Sequence, residues 1–158
     1  DLPRLGAGRG DVRPRLATPA DRQALWDNLE VIDCFASDHA PHTRAEKERP
    51  EGAPPGVPGL ESTLPLMLTA VSQGRLSTAR LTELLAINPR RIFKLPEQPE
   101  TWVEVDPEAE FVFPERPLYT KCGWSPFTGM RLRGRVTHVV LRGQEVARDG
   151  IVLNYQNP

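Results

Sequence analysis

The stretch Ile32-Asp33-Cys34-Phe35-Ala36-Ser37-Asp38-His39-Ala40-Pro41-His42 sets a largely apolar run directly before a carboxylate and two imidazoles. Two readings of it stand side by side. It is the end of a buried strand presenting reactive groups, or a turn capped by a carboxylate that happens to hold histidines. The chain has 3 histidines in all, and two of them sit here.

Working outward, residues 19–29 read as a helix, with Thr18 as N-cap, Pro19 in the first turn and Ala24, Leu25 and Leu29 on one face. The following residues 31–37 then read as a short strand. An apolar strand placed directly after a helix predicts an α/β architecture with strands buried on both faces. Residues 43–59 form a long loop dense in proline, glycine and charge, a length that is uncommon within a compact domain and often functional. Residues 60–73 predict an apolar helix carrying Pro65 in its first turns, with Gly74 as C-cap. A further helix follows over 77–87 with Ser77 as N-cap, and Asn88-Pro89 is expected to end it.

Beyond Pro96 the texture changes to short alternating strands, in TWVEVDP, AEFVFP and residues 131–154, with turns at Gly143 and Asp149-Gly150. A helical half before a β half predicts two structural parts that meet near residue 96. No internal repeat is visible.

Composition bounds the function. Of the 158 residues, 39% are hydrophobic and 26% charged; 20 basic and 21 acidic side chains leave a net charge of -1. That balance gives no electrostatic case for nucleic acid or an anionic membrane as partner. No run approaches the ~18 apolar residues of a transmembrane helix. The N-terminal sequence has neither a signal-peptide pattern nor an initiator methionine, and reads as a cut inside a longer protein. Cys34 and Cys122 form neither a disulfide framework nor a CxxC pair, which points to a reducing, cytoplasmic setting. Cys34 is expected to be a buried small apolar residue. The Arg9-Gly10-Asp11 tripeptide is read as a chance occurrence.

Asp38 would lie at the carboxyl end of the expected strand, where α/β folds place their active sites. A carboxylate there can ligate a divalent metal and shuttle a proton to and from a reacting water. His39 and His42 are spaced to reach one site, but zinc takes three or four ligands, and His138 belongs to the β half. The residues alone supply half a site.

The motif ASDHAPHT (36–43), followed by a proline-rich loop ending in Pro-Gly-Leu-Glu (58–61), resembles the dihydroorotases of the amidohydrolase superfamily. Within that family the likeness is to the dihydroorotase domain of the animal multifunctional pyrimidine-synthesis proteins. It extends through DLPRLG (1–6), DVRP (11–14), ALWDN (24–28), PGLESTLPLMLTAVSQGRLS (58–77), NPRRIF (88–93) and VVLRGQEVARDG (139–150). The resemblance implies the C-terminal portion of a (β/α)8 TIM-type barrel over residues 1–96, followed by a small β appendage over 97–158. It also implies the reversible, zinc-dependent cyclisation of N-carbamoyl-L-aspartate to L-dihydroorotate. By the same resemblance Asp38 is a zinc ligand and general acid/base, His42 and Arg13 contact the substrate carboxylate, and Pro55 lies on the loop that touches the ring. Arg13 suits that task because its guanidinium donates two parallel hydrogen bonds to a carboxylate. His39 either orients Asp38 or satisfies the turn.

Departures from the family pattern are mostly absences. The remaining zinc ligands of the binuclear centre would all precede residue 1, so the chain alone is expected to bind no such centre, to be inactive and to fold poorly. The proline loop is about one residue longer than the pattern. The resemblance further implies a homo-oligomer and covalently linked carbamoyl-phosphate synthetase and aspartate transcarbamylase domains. Two rivals remain: another cyclic-amide hydrolase of the allantoinase or dihydropyrimidinase kind, and a catalytically dead module retained for assembly.

Overall fold

The computed structural model describes residues 5, 6 and 8–153 of the chain. Of the DLPRLG stretch, therefore, residues 1–4 lie outside the described residues.

Helix α1 (Pro19–Asp27) starts where the sequence predicts. Thr18 accepts from the Asp21 backbone N–H at 3.2 Å, and the Asp21 carboxylate accepts from the Thr18 N–H at 2.9 Å, a reciprocal capping box. None of its residues is buried, and Leu25 is exposed. A 3-10 turn, Leu29–Val31, follows. The expected strand over 31–37 is a point of correction. Among the described residues that run carries no strand, since a strand exists only where a neighbouring backbone pairs with it. The nearest pairing is one parallel bridge between His39 and Val57.

Helix α2 (Arg44–Lys47) is a single turn inside the loop expected over 43–59, built on a second capping box between Thr43 and Glu46. Helix α3 (Leu60–Ser72) passes through Pro65 and ends as expected at Gly74, whose φ is 70°. The Gly74 N–H donates to the Val71 carbonyl at 2.9 Å and that of Arg75 to the Ala70 carbonyl at 3.0 Å, a Schellman close.

Helix α4 (Thr78–Thr82) is capped by Ser77 as expected, but Asn88-Pro89 does not end the helical run. The chain widens into a π-turn, Glu83–Ile87, whose last bond runs from the Asn88 N–H to the Glu83 carbonyl. It then continues as α5 (Asn88–Ile92). The extra residue per turn lets the helix pass a proline, and Pro89 falls in the first turn of α5, where a missing N–H has no intrahelical partner to lose.

Four strands form one sheet in the order β1 (Trp102–Val112), β2 (Arg131–Leu141), β3 (Gln144–Arg148), β4 (Ile151–Val152). The separate stretches TWVEVDP and AEFVFP thus join into one 11-residue strand. Pro107 is tolerated within it because β1 is an edge strand. Strands β2, β3 and β4 are antiparallel. The expected turns are present: Arg142 and Gly143 have φ of 51° and 77°, Asp149 and Gly150 of 49° and 73°, as two-residue hairpins require.

The chain divides into two compact units that interleave in sequence. One holds the residues up to Leu64 with Val112–Arg131; the other holds Pro65–Phe111 with the residues from Leu132 onward. Residue 96 falls inside the second. That unit has an aliphatic core of Leu68, Ala70, Leu76, Leu81, Leu84, Leu132 and Val140. Each fully buried leucine contributes about 1.5–3 kcal/mol relative to its exposed state. Helix α3 meets β2 there: the Arg133 N–H donates to Thr69 Oγ1 at 2.9 Å, and Leu68 lies over Gly134. A side chain at Gly134, whose φ is 98°, would start 2.5 Å from the Leu68 Cβ. Gly134→Ala is therefore expected to destabilise the fold by about 2–4 kcal/mol, combining backbone strain with overpacking, as read from the midpoint of a urea titration.

Candidate functional site

Arg13, Asp38, His42 and Pro55 fall in the first unit, on three segments: 11–13, 37–42 and 54–59. Glycines let the second and third run in contact. A Cβ at Gly56 would lie 2.6 Å from the Ala40 carbonyl oxygen, and one at Gly59 would lie 2.9 Å from that of Ser37. The Ala40 N–H donates to the Val57 carbonyl at 3.1 Å beside the His39–Val57 bridge. The first segment joins through the Gly56 N–H, which donates to the Asp11 carbonyl at 2.9 Å.

Asp38 sits at the tip of its segment with φ of 44°, a left-handed conformation that aspartate tolerates better than most residues. Its side chain is exposed, and among the described residues nothing pairs with it.

His39 has a defined task. Its Nδ1 accepts from the backbone N–H groups of Gly59 at 3.1 Å and Leu60 at 3.2 Å. Gly59 begins α3, its carbonyl taking the first helical bonds from Ser62 and Thr63, yet it has no side chain with which to cap. The imidazole of a distant residue supplies the missing acceptor. Nδ1 must carry a lone pair to do so, which puts the proton of the neutral ring on Nε2. Of the two roles open from sequence, satisfaction of the chain's own backbone is the one observed. His42 is half-exposed, and its carbonyl accepts from Trp124 Nε1 at 2.8 Å. The buried Trp124 thereby anchors the end of the motif.

Arg13 is exposed and forms an ion pair with Asp11. It lines an open cleft of about 530 Å3 together with Arg15, Arg49 and Asp11. Pro55 is exposed on the proline loop next to Pro54. Cys34 is half-exposed, not buried as expected, because no sheet covers its segment among the described residues. His138 lies on β2 between two carboxylates, Glu104 at 3.3 Å and Glu145 at 3.6 Å, and belongs to the other unit.

Three supporting residues escaped the sequence reading. Lys47 is fully buried, and its Nζ donates to the Asp11 and Pro54 carbonyls, each at 2.8 Å. Glu61 accepts from the N–H groups of Tyr119 at 3.0 Å and Thr120 at 2.8 Å, and from Thr120 Oγ1 at 2.5 Å. Trp124 is the third. No periodicity marks any of them, since each acts on backbone far away in sequence. The Thr43–Glu46 box, by contrast, has the legible spacing T-x-x-E.

Among the described residues no cluster of three or more histidine, cysteine, aspartate or glutamate side chains is placed to hold a metal ion. The exposed, unpaired Asp38 carboxylate fits the part of one zinc donor, and a tetrahedral site would need further donors from elsewhere.

Comparison with known proteins gives this geometry a context. Over 153 residues, 97% of its length, the chain is 54% identical to the multifunctional protein pyr1-3 of Dictyostelium discoideum. It is likewise 54% identical over 153 residues to the multifunctional protein CAD of Squalus acanthias. Over 150 residues it is 39% identical to a dihydroorotase of Pyrococcus abyssi. The chain is a dihydroorotase homologue. It spans 7% of the length of each multifunctional protein and 36% of the Pyrococcus enzyme. No protein-family model matches it. Among solved structures, this dihydroorotase homologue superposes with a TM-score of 0.73 and 34% identity on the inactive dihydroorotase-like domain of a Chaetomium thermophilum CAD-like multifunctional protein. That match covers 89% of the chain and 40% of the domain. An L-hydantoinase (dihydropyrimidinase) from Arthrobacter aurescens matches with a TM-score of 0.85 and 30% identity, over 96% of the chain and 37% of the enzyme.

Glu61 makes the homologue's stability depend on pH. Burial alone would raise its carboxyl, but hydrogen bonds from Thr120 and Tyr119 outweigh it and hold the group below its ordinary 4.5. A depressed carboxyl favours the folded state once it is ionised. That stability is complete above the unfolded value and is lost as pH falls from about 4.5 through the folded one. Glu61→Gln is expected to cost about 1–3 kcal/mol at pH 7 and to flatten the acid limb of a stability–pH profile measured by denaturant titration.

Proposed function

We propose that this chain is the C-terminal portion of a dihydroorotase, with residues 1–96 closing a (β/α)8 barrel and 97–158 forming the small β appendage. The observation that carries the reading is the Asp38 carboxylate, exposed, unpaired and left-handed at φ 44°, beside the segments that hold Arg13, His42 and Pro55. The proposed reaction is the reversible cyclisation of N-carbamoyl-L-aspartate to L-dihydroorotate in pyrimidine synthesis.

In ring opening, a carboxylate oxygen of Asp38 takes the proton of the attacking hydroxide and passes it to the leaving amide nitrogen. Ring closure runs the same transfers in reverse. Arg13 exchanges its contact with Asp11 for a forked pair of hydrogen bonds to the substrate carboxylate, which His42 also contacts. The backbone of the proline loop at Pro55 lies against the ring. Asp38 is the one zinc donor assigned to this chain; zinc, when bound, supplies a hydroxide nucleophile near neutral pH and polarises the amide carbonyl. The other donors, the homo-oligomeric contacts and the covalently linked carbamoyl-phosphate synthetase and aspartate transcarbamylase domains lie in the whole protein. Among the described residues no helix is long and apolar enough to cross a membrane. A cytoplasmic setting is part of this proposal.

A second reading has its own support: the Chaetomium domain, to which the chain is 34% identical, is inactive, so a silent assembly module is the alternative. Activity of the whole protein separates the two. Asp38→Asn is expected to lower kcat for dihydroorotate by about 10²–10⁴-fold in the otherwise folded protein. An unchanged kcat would overturn the role given to Asp38, whereas a whole protein with no turnover would favour the silent module or another substrate. The 158-residue chain alone is expected to show no turnover of dihydroorotate in the presence of zinc; activity from the purified chain would overturn the division of ligands proposed here.

A further inference from the structure

The role of Lys47 extends beyond the parts assigned above. It is the largest fully buried polar side chain among the described residues. An ammonium in that position is costly unless its donors find acceptors. Burial lowers the proton affinity of Lys47, the nearby charge of Asp11 raises it, and Arg13 lowers it further. Two of its N–H groups bond to carbonyl oxygens that lie 36 and 7 residues away.

The positions of those carbonyls matter. The Asp11 carbonyl lies two residues before Arg13, and the Pro54 carbonyl adjoins Pro55. Lys47 itself ends α2, which the Thr43–Glu46 capping box starts directly after His42. One ammonium therefore stands within five residues of all three groups proposed to hold substrate. The surrounding backbone is fitted to it. A Cβ at Gly8 would lie 1.9 Å from the Lys47 carbonyl oxygen, so the N-terminal turn rests directly on this residue. The Asp11 carbonyl takes a second bond from the Gly56 N–H at 2.9 Å, which makes it the meeting point of the N-terminal segment, α2 and the proline loop.

We propose that Lys47 is a positioning residue, whose buried ammonium fixes the spacing between the Arg13 segment and the Pro55 loop and thereby sets affinity for the substrate. The inference rests on the reading of Arg13, His42 and Pro55 as substrate contacts. Lys47 touches no reacting atom. Its loss removes binding that ground state and transition state share, which raises KM and spares kcat.

The test uses the full-length protein and Lys47→Met. For L-dihydroorotate, KM is expected to rise about tenfold while kcat stays within about twofold of wild type. Amide exchange gives a measure independent of turnover. The Gly56 N–H, bonded to the Asp11 carbonyl, should exchange faster in the variant. The Thr120 N–H, held by Glu61, should not. If Lys47→Met does not fold, Lys47→Gln keeps donors on a shorter stem and goes through the same measurements with the same expected directions. A fall in kcat at unchanged KM overturns the proposal, as does unaltered exchange at Gly56. Absence of turnover in the wild type instead sinks the dihydroorotase reading, and exchange at Gly56 then decides the spacing role alone.

Discussion

The contact of Gly56 and Gly59 with Ala40 and Ser37 is the constraint on which the first unit depends. Side chains at the two glycines would lie 2.6 and 2.9 Å from backbone oxygens of the motif segment, so only hydrogen atoms fit there. That closeness is what allows the Ala40–Val57 hydrogen bond and the His39–Val57 bridge. It also brings the His39 ring to the start of α3. From there Glu61, one residue into the helix, reaches Tyr119 and Thr120. A sequence rich in proline and glycine, which by composition suits a disordered insertion, becomes an ordered wall because its backbone is bonded at several points.

The polar side chains that order this unit share one habit. His39, Lys47, Glu61 and Trp124 all bond to backbone groups of distant segments. Backbone partners are present whatever the local sequence, so these anchors fix the path of loops chiefly through the main chain, Glu61 adding one bond from the Thr120 hydroxyl. Buried polar groups must be satisfied, and here each is satisfied by a loop that would otherwise need water. Asp38 differs from all of them. Its carboxylate has no partner among the described residues, while the residue directly after it is bound on its ring nitrogen. The neighbours are held and the reactive candidate is left open, which is the division expected of a preorganised site.

Much of the local structure could be read in advance, and for physical reasons. Thr18 and Ser77 start helices because a hydroxyl accepts from the first turn, and Gly74 ends one because it takes a positive φ without strain. Arg142-Gly143 and Asp149-Gly150 turn the chain because hairpins need two left-handed residues. The errors also have causes. Asn88-Pro89 looked like a stop, but a π-turn carries the helix past a proline that a regular α-helix would not accept. Residues 31–37 have the composition of a strand, yet pairing is a property of two segments, and composition reports on one. The motif at 36–43 was legible as a family signature, while the geometry around it was not.

Sequence by itself determined the helix ends, the hairpin turns and the resemblance that the 54% identity to multifunctional proteins supports. All of these depend on residues close together in the chain, or on matching one chain with another. Tertiary structure alone decided that His39 caps α3, that Lys47 joins segments 36 and 7 residues away, and that Asp38 stays unpaired. Each of those outcomes turns on which distant backbone groups arrive within hydrogen-bond reach, about 3 Å, and no local pattern carries that information.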